Sequence, residues 1–210
     1  MAGHLTERRL EVVSAVLLAL ATVATAWAAY QSREWTGEQS QGYSQGTAAR
    51  IHANRAAALA DRQVQIDVAT FVQWIDARAQ RRPALADFYR ARFRAEFEPA
   101  FTSWLAARPF TNSDAPATPF ETPQYRLKES DEADQLEATA AAASDRAKDA
   151  NQHADNYMLA VVLFASALFF AGISSKFTGL GVRAVLLAIG CVVALVTLAW
   201  VATLPVHLTG

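Results

Sequence analysis

Three long runs of apolar residues mark this chain, and a charged segment separates the first run from the second. The runs cover residues 10–30, 158–173 and 184–204, and Glu11 is their one charged side chain. About 20 apolar residues suffice for a helix to cross the hydrocarbon core of a bilayer. Gly179 and Gly181 favour a tight turn between the last two runs. The pattern predicts three transmembrane helices, of which the last two form a hairpin.

The charged segment between the first two runs is also predicted to be helical. Residues 31–80 contain no proline, Pro83 suits the start of a helix over residues 84–107, and Pro99 predicts a kink or break within it. Four prolines in residues 108–123 predict a loop, and a last helix begins near residue 124 and continues into the second apolar run. The predicted fold class is all-α, with three transmembrane helices and a long antiparallel helical stalk and hairpin inserted between spans 1 and 2.

This prediction divides the chain into three parts. Residues 1–30 form an N-terminal segment and the first transmembrane helix, residues 31–157 a helical extracytoplasmic stalk and distal hairpin, and residues 158–210 a transmembrane hairpin. The first run also resembles a secretory signal, because two arginines precede it and residues 24–26 have the small-x-small form of a cleavage site. Its length and aromatic end favour a span that is retained.

The last long helix carries a regular pattern of small residues at alternating spacings of three and four. Such spacing places side chains on one helix face and predicts a packing seam. The seam residues are Ala133, Leu136, Ala140, Ala143, Ala147, Ala150, Ala154 and Tyr157. The series is predicted to continue into the membrane through Val161, Phe164, Leu168 and Ala171. Because alanine is common in all helices, composition alone is the alternative explanation.

The first long helix offers a matching stripe for this seam. The stripe comprises Ala53, Ala57, Ala60, Val64, Phe71 and Trp74. If Tyr30 and Tyr157 mark the same membrane interface, antiparallel pairing brings three pairs of opposite charge together: Arg50 with Glu137, Arg55 with Glu132, and Asp61 with Arg126. Farther along, the hairpin is predicted to pack Phe71, Trp74 and Ile75 against Phe88, Tyr89, Phe93 and Phe97.

The flanking charges predict an orientation. Lysine and arginine in short flanks favour the cytoplasmic side, which places Arg8, Arg9, Lys176 and Arg183 inside. Residues 31–156 and the C-terminus are then extracytoplasmic. Aromatic side chains concentrate at membrane interfaces, and Trp27, Tyr30, Tyr157 and Trp200 all reach the outer one in this orientation.

Composition and charge exclude several classes of function. The chain is 52% hydrophobic with 19 basic and 20 acidic residues, all but six of which lie between residues 33 and 155. This near balance lacks the concentrated basic face that nucleic-acid binding requires. The single cysteine, Cys191, excludes an intramolecular disulfide.

The sequence contains no recognisable catalytic, cofactor-binding or metal-binding motif. Its four histidines, His4, His52, His153 and His207, have no ligand spacing, and no nucleophile or acid–base pair stands out. We therefore expect no enzyme activity and no cofactor. One candidate partner surface remains on the distal hairpin, composed of Arg81, Arg82, Arg90, Arg92 and Arg94. The plainer interpretation of these arginines is a solvated helix face.

These observations predict a non-enzymatic integral membrane protein. A two-helix stalk with an alanine seam buries little surface, so we expect a homo-oligomer that serves as an envelope scaffold or accessory subunit. Its expected partners are itself, the lipid bilayer and an extracytoplasmic protein. The alternative is a homo-oligomeric channel in which the first span lines the axis through Ala15, Ala19, Thr22 and Ala26. Hydroxyls at Ser14, Thr22, Thr25, Ser166 and Thr197 are candidate pore groups, although such hydroxyls more often bond to a helix backbone.

Two stretches resemble a known group of proteins. Residues 27–39 (WAAYQSREWTGEQ) and residues 155–173 (DNYMLAVVLFASALFFAGI) are similar to an uncharacterised family of bacterial three-span membrane proteins with a long helical extracytoplasmic insertion. The resemblance covers nearly the whole chain. It implies residence in the bacterial inner membrane, and it carries over no activity and no functional residues.

Overall fold

The computed structural model describes the backbone of residues 2–207 and the side chains from residue 7 onward. Every regular element in this range is helical. The elements are α1 (Ala2–Ala79), α2 (Pro83–Arg90), α3 (Glu98–Ala106), a 3-10 turn (Pro119–Glu121), α4 (Lys128–Ser174) and α5 (Leu180–Val201). Three of them, α1, α4 and α5, contain windows long and apolar enough to cross a membrane. The all-helical class and the three candidate spans of the sequence prediction are thus present.

The chain forms two compact units. The first unit contains Met1–Ser44 and Ala143–Gly210, and the second contains Gln45–Ala142. These boundaries reflect contact density, whereas the sequence boundaries near residues 30 and 157 follow the change from apolar to polar composition. The three-part division therefore stays a prediction about the membrane.

Local chain chemistry explains where the shorter helices begin and end. The predicted helix over residues 84–107 is interrupted at residues 91–97, and α3 begins at Glu98 with Pro99 in its first turn. Proline is tolerated there because the first amide groups of a helix have no intrahelical acceptor. Pro83 likewise opens α2. The break expected from Pro99 therefore precedes the proline.

The predicted seam on α4 is buried. Seven of its eight residues are at most 9% exposed, and Leu136 is partly buried. Beyond Tyr157, Phe164 and Ala171 are buried as predicted, whereas Val161 and Leu168 are only partly buried and Ala160 and Ala167 are fully buried instead. Ala160 packs in a cluster with Val201 of α5, and Ala167 packs in another with Leu187 and Ala194. Contact with α5 therefore adds these two residues to the buried face of α4.

Close contact between α1 and α4 in the first unit depends on a glycine. A methyl group at Gly42 would lie 3.0 Å from the Ala147 Cβ and 3.1 Å from the Ala143 carbonyl oxygen. Ser32 donates a 3.1 Å hydrogen bond to the Ala154 carbonyl, and the side chains of Gln39 and Asn151 are joined at 2.8 Å. Small side chains allow helix backbones to approach in this way.

We expect Gly42→Val to destabilise the first unit by about 1–3 kcal/mol, because its side chain must displace α4. Gly37→Val is the matched control, since no atom beyond the neighbouring backbone of α1 lies within 4 Å of a methyl group at that position. Both changes share the effect of valine on helix propensity, so their difference isolates packing. Hydrogen exchange of residues 32–44 and 143–156 in the detergent-solubilised chain measures this difference in stability. Equal exchange in the two variants would contradict the close contact.

Candidate functional site

The second unit is built around a cluster of aromatic side chains contributed by α1, by α3, and by the segments that precede and follow α3. The aromatic cluster comprises Phe71, Trp74, Phe97, Phe101 and Trp104, with Phe93, Phe120 and Tyr125 packed against them. Ring pairs within it are mostly edge to face, such as Trp74 with Phe101 at 4.7 Å between centroids. Aromatic pairs favour this geometry and add stabilisation beyond their buried area.

The predicted packing of the hairpin is correct for most of its residues. Phe71, Trp74, Phe97 and the partly buried Ile75, Tyr89 and Phe93 all belong to this core. The prediction for Phe88 is wrong, because its side chain is 48% exposed. Phe88 lies on α2 opposite the buried Ala86 and Tyr89 face, so its position on the short helix points it to solvent.

A charged residue of α1 is buried beside the aromatic cluster. Asp67 is fully buried, and its Oδ2 atom accepts hydrogen bonds from Arg94 at 3.0 Å and from the Tyr125 hydroxyl at 3.1 Å. Its Oδ1 atom is buried without a hydrogen-bond partner. Desolvation raises the pKa of Asp67 above its ordinary value, and Arg94 opposes this rise. Burial and the adjacent carboxylate raise the pKa of Tyr125, so its hydroxyl stays protonated and donates.

The five arginines of the predicted partner surface have different surroundings. Arg94 is 18% exposed and pairs with Asp67 and with Glu96, so its charge is engaged within the unit. Arg90 pairs with Glu98 at 2.6 Å and lies over the Phe101 ring. Arg92 lies 3.3 Å from the centre of the exposed Phe88 ring and donates to the Phe88 carbonyl. Such cation–π contacts fix a guanidinium while leaving its charge unneutralised.

Arg81 and Arg82 complete an exposed surface. Neither forms an ion pair with another side chain in the described part of the chain. Arg82 lines a shallow hollow with Pro83, Ala84, Leu85 and Phe88. We call the exposed set Arg81, Arg82, Phe88 and Arg92 the basic–aromatic face.

The backbone of Arg81 is unusual. Its φ is 59°, in the left-handed region. The Arg82 amide donates to the Ala77 carbonyl at 2.9 Å and the Arg81 amide to the Arg78 carbonyl at 3.1 Å. These two bonds close the end of α1 in a Schellman motif, in which glycine normally occupies the left-handed position. An arginine there costs about 1–2 kcal/mol in backbone energy.

We expect Arg81→Gly to stabilise the second unit by about 1 kcal/mol, because glycine adopts the left-handed conformation without steric cost. Arg82→Gly is the matched control, since Arg82 has a φ of −108° and gains nothing from glycine. Hydrogen exchange of residues 71–82 in the full chain measures the change. Faster exchange in Arg81→Gly than in the unmodified protein would contradict the strain.

A second polar cluster lies in the first unit, where residues 205–207 pack on α1 and α4. The buried Gln31 side chain accepts from the His207 amide at 2.9 Å and donates to its carbonyl at 3.2 Å. Trp35 and Tyr157 both donate to the Pro205 carbonyl, at 3.3 Å and 3.1 Å. The Trp35 ring contacts both His153 and His207, at 4.6 Å and 5.2 Å between centroids. The arrangement fastens the segment after α5 to the two long helices.

Histidine and carboxylate groups do not converge on a metal site in the described residues. No group of three or more His, Cys, Asp or Glu side chains there is placed to hold a metal ion. The His207 Nε2 atom lies 3.9 Å from a Glu38 oxygen, and His153 contacts the Trp35 ring at 4.6 Å between centroids. His4 is outside the described side chains.

The hydroxyls considered as pore groups all donate to backbone carbonyls. Ser14 reaches across to the Ala171 carbonyl at 3.3 Å, and Thr22 donates to the Leu18 carbonyl of its own helix at 2.7 Å. Thr25, Ser166 and Thr197 make the same bond to the residue four positions earlier. These bonds use the hydroxyl protons within the helices.

No protein-family model, curated protein or solved structure matches this chain, so the resemblance to bacterial three-span membrane proteins stays a prediction.

Proposed function

We propose that this chain is a non-enzymatic integral protein of the bacterial inner membrane. It acts as an oligomeric envelope scaffold or accessory subunit and binds an extracytoplasmic protein through the basic–aromatic face. One observation carries this proposal: the exposed Phe88 ring bears the Arg92 guanidinium and lines a hollow with Arg82, and the adjoining Arg81 keeps a strained backbone. Strained residues persist where surrounding structure and function retain them. An acidic protein surface complements this face in charge.

The ends of the candidate spans support the proposed topology. Within the first unit, Tyr157 and Trp200 pack in one cluster with Ala28 and Trp35. Arg183 lies instead beside the start of α1, 3.8 Å from Glu11. The aromatic end and the cationic end of the unit are thus distinct, as expected for outer and cytoplasmic interfaces. The proposed orientation places Arg8 and Arg9 inside and residues 31–156 outside.

Contacts inside each unit support an antiparallel arrangement of α1 and α4 as the stalk. In the first unit, Ser14 pairs with Ala171, Ser32 with Ala154, and Gln39 with Asn151. In the second unit, Arg50 lies 3.6 Å from Glu137, as the sequence predicts, and Asp67 contacts Tyr125. The expected ion pairs of Arg55 with Glu132 and of Asp61 with Arg126 do not form among the described residues. Within each unit, residues farther along α1 therefore contact residues that come earlier in the later part of the chain.

The surface of α1 supports self-association rather than conduction. Ala15, Ala19, Thr22 and Ala26 lie on one exposed face. Small residues of this kind allow a second helix to approach closely in lipid. The Thr22 hydroxyl on this face is bonded to the Leu18 carbonyl, so the face offers methyl groups and few polar ones.

Crosslinking in cells tests partner binding. A photoreactive phenylalanine analogue replaces Phe88, and the matched control carries it at Phe110, which is 64% exposed in the same unit. We expect position 88 to crosslink one acidic extracytoplasmic protein and Arg82→Glu with Arg92→Glu to abolish that crosslink. Equal crosslinking from both positions, or crosslinking that survives the charge reversal, would overturn the proposal.

Reconstitution tests the scaffold against the channel. We expect native mass spectrometry to detect an oligomer and planar bilayers containing it to show no discrete conductance steps. A monomer would contradict self-association. Reproducible conductance steps that change in Thr22→Val would establish the channel instead.

A further inference from the structure

An open apolar groove lies between α1 and α5 in the first unit. Its volume is about 540 Å³, within the range of small-molecule binding sites. Val16, Leu20 and Trp27 of α1 form one wall, and Cys191 and Leu198 of α5 form the other. Phe164 of α4 also contributes to the lining. The groove offers almost no hydrogen-bonding group, so its occupant must be a hydrocarbon.

The α1 wall of the groove belongs to a longer exposed stripe. Val12, Val16, Leu20, Val23 and Trp27 recur at spacings of three and four, and each is more than 40% exposed. Residues at these spacings share one helix face. At the N-terminal end of the stripe, Arg8 and Arg9 line a second hollow together with Val12 and Val13. A single face therefore runs from two cations to an apolar groove.

The two arginines are available to an anion. Neither Arg8 nor Arg9 forms an ion pair with another described side chain. The nearby carboxylate of Glu11 is 3.8 Å from Arg183 instead. Arginine binds phosphate oxygens with well-directed, charge-assisted hydrogen bonds.

We propose that this face binds one anionic phospholipid, with its phosphate at Arg8 and Arg9 and an acyl chain in the groove. The inference rests on the membrane residence proposed above and adds a defined lipid site to it. Charge complementarity selects the headgroup, since each basic residue near an anionic membrane surface favours association. The groove supplies the apolar contact that a freely exchanging lipid lacks.

A second copy of the chain fits this face less well. Helices in lipid associate through small residues, whereas the α1 wall presents Val16, Leu20 and Trp27. A parallel copy at the same place would also set its own Arg8 and Arg9 beside these cations. The small face of Ala15, Ala19, Thr22 and Ala26 remains free for self-association.

Photolabelling in nanodiscs tests the site. The probes are phosphatidylglycerol and phosphatidylcholine that carry the same diazirine-labelled acyl chain. The full-length protein is purified before reconstitution, so an effect of the arginines on membrane topology in cells does not enter the measurement. We expect phosphatidylglycerol to label residues 16–27 and 191–201 roughly tenfold more than phosphatidylcholine. Arg8→Gln with Arg9→Gln should reduce this ratio to about one. Lys176→Gln, which removes an exposed cation outside the stripe, should leave it unchanged.

Variants that fill the groove with a larger side chain provide an independent test of the site. Leu198→Trp occupies the groove and should abolish labelling by both probes at residues 16–27. Val192→Trp, at a similarly exposed position of α5 outside the groove, should not. Equal labelling by the two lipids would overturn the headgroup site. A Cys191–Cys191 disulfide between copies, with lipid labelling absent, would assign the groove to self-association. Failure to insert into nanodiscs would instead refute the proposed membrane function.

Discussion

Arg94→Ala is expected to destabilise the second unit by about 3–5 kcal/mol at neutral pH, because it leaves the Asp67 carboxylate buried without its cation. Asp67 is fully buried and keeps one oxygen unpaired even when Arg94 is present. Hydrogen exchange of residues 60–75 and 93–105 in the full chain should accelerate roughly 100-fold or more. Arg90→Ala is the matched control, since its partner Glu98 is 39% exposed and such surface pairs contribute about 0–1 kcal/mol.

The loss should depend on pH. Burial raises the pKa of folded Asp67 above 3.8, its ordinary value. The protonated carboxyl is therefore favoured by folding, and its contribution to stability declines as the pH rises through the raised pKa. Without Arg94 that pKa rises further, so the effect of Arg94→Ala should be larger at pH 8 than at pH 5. In an Asp67→Asn background this difference should disappear. A pH-independent loss would show that Arg94 acts through packing alone.

The sequence predicts the α4 seam because that seam follows helical periodicity, a local property of the chain. Ala140, Ala147 and Ala154 are buried as expected. Ala160 and Ala167 were missed because they pack in clusters with residues of α5, and periodicity along α4 does not encode where a third helix packs. Asp67 follows Ala60 by seven residues and precedes Phe71 by four, so it lies on the buried stripe of α1. This spacing was the available signal that a charge is buried there.

The candidate partner surface depends on contacts that periodicity does not encode. Arg90, Arg92 and Arg94 are equivalent in a charge count, yet their partners are Glu98, the Phe88 ring and Asp67. The charge of Arg94 is neutralised by Asp67, which lies 27 residues earlier on α1, and a charge count on the hairpin does not show this partner. The proline-rich segment was predicted only as a loop, although its Phe120 packs on the aromatic cluster. Tertiary contact of this kind has no signature within the loop itself.

Phe101→Ala is expected to destabilise the second unit by about 3–5 kcal/mol, because it empties a fully buried ring site. The Phe101 ring contacts those of Trp74 at 4.7 Å and Phe93 at 4.9 Å between centroids, so both lose an edge-to-face neighbour. Phe88→Ala is the matched control: that ring is 48% exposed, and we expect a loss below about 1 kcal/mol, mostly from its contact with Arg92. Tryptophan fluorescence and hydrogen exchange of residues 71–77 report the change, and comparable losses in the two variants would contradict the assignment of Phe101 to the core.

The same two variants should have the opposite effects on partner binding, since Phe88 belongs to the proposed binding face. Phe88→Ala should abolish the partner crosslink from a photoreactive residue placed at Ala84, while Phe101→Ala weakens this crosslink only as far as the unit unfolds.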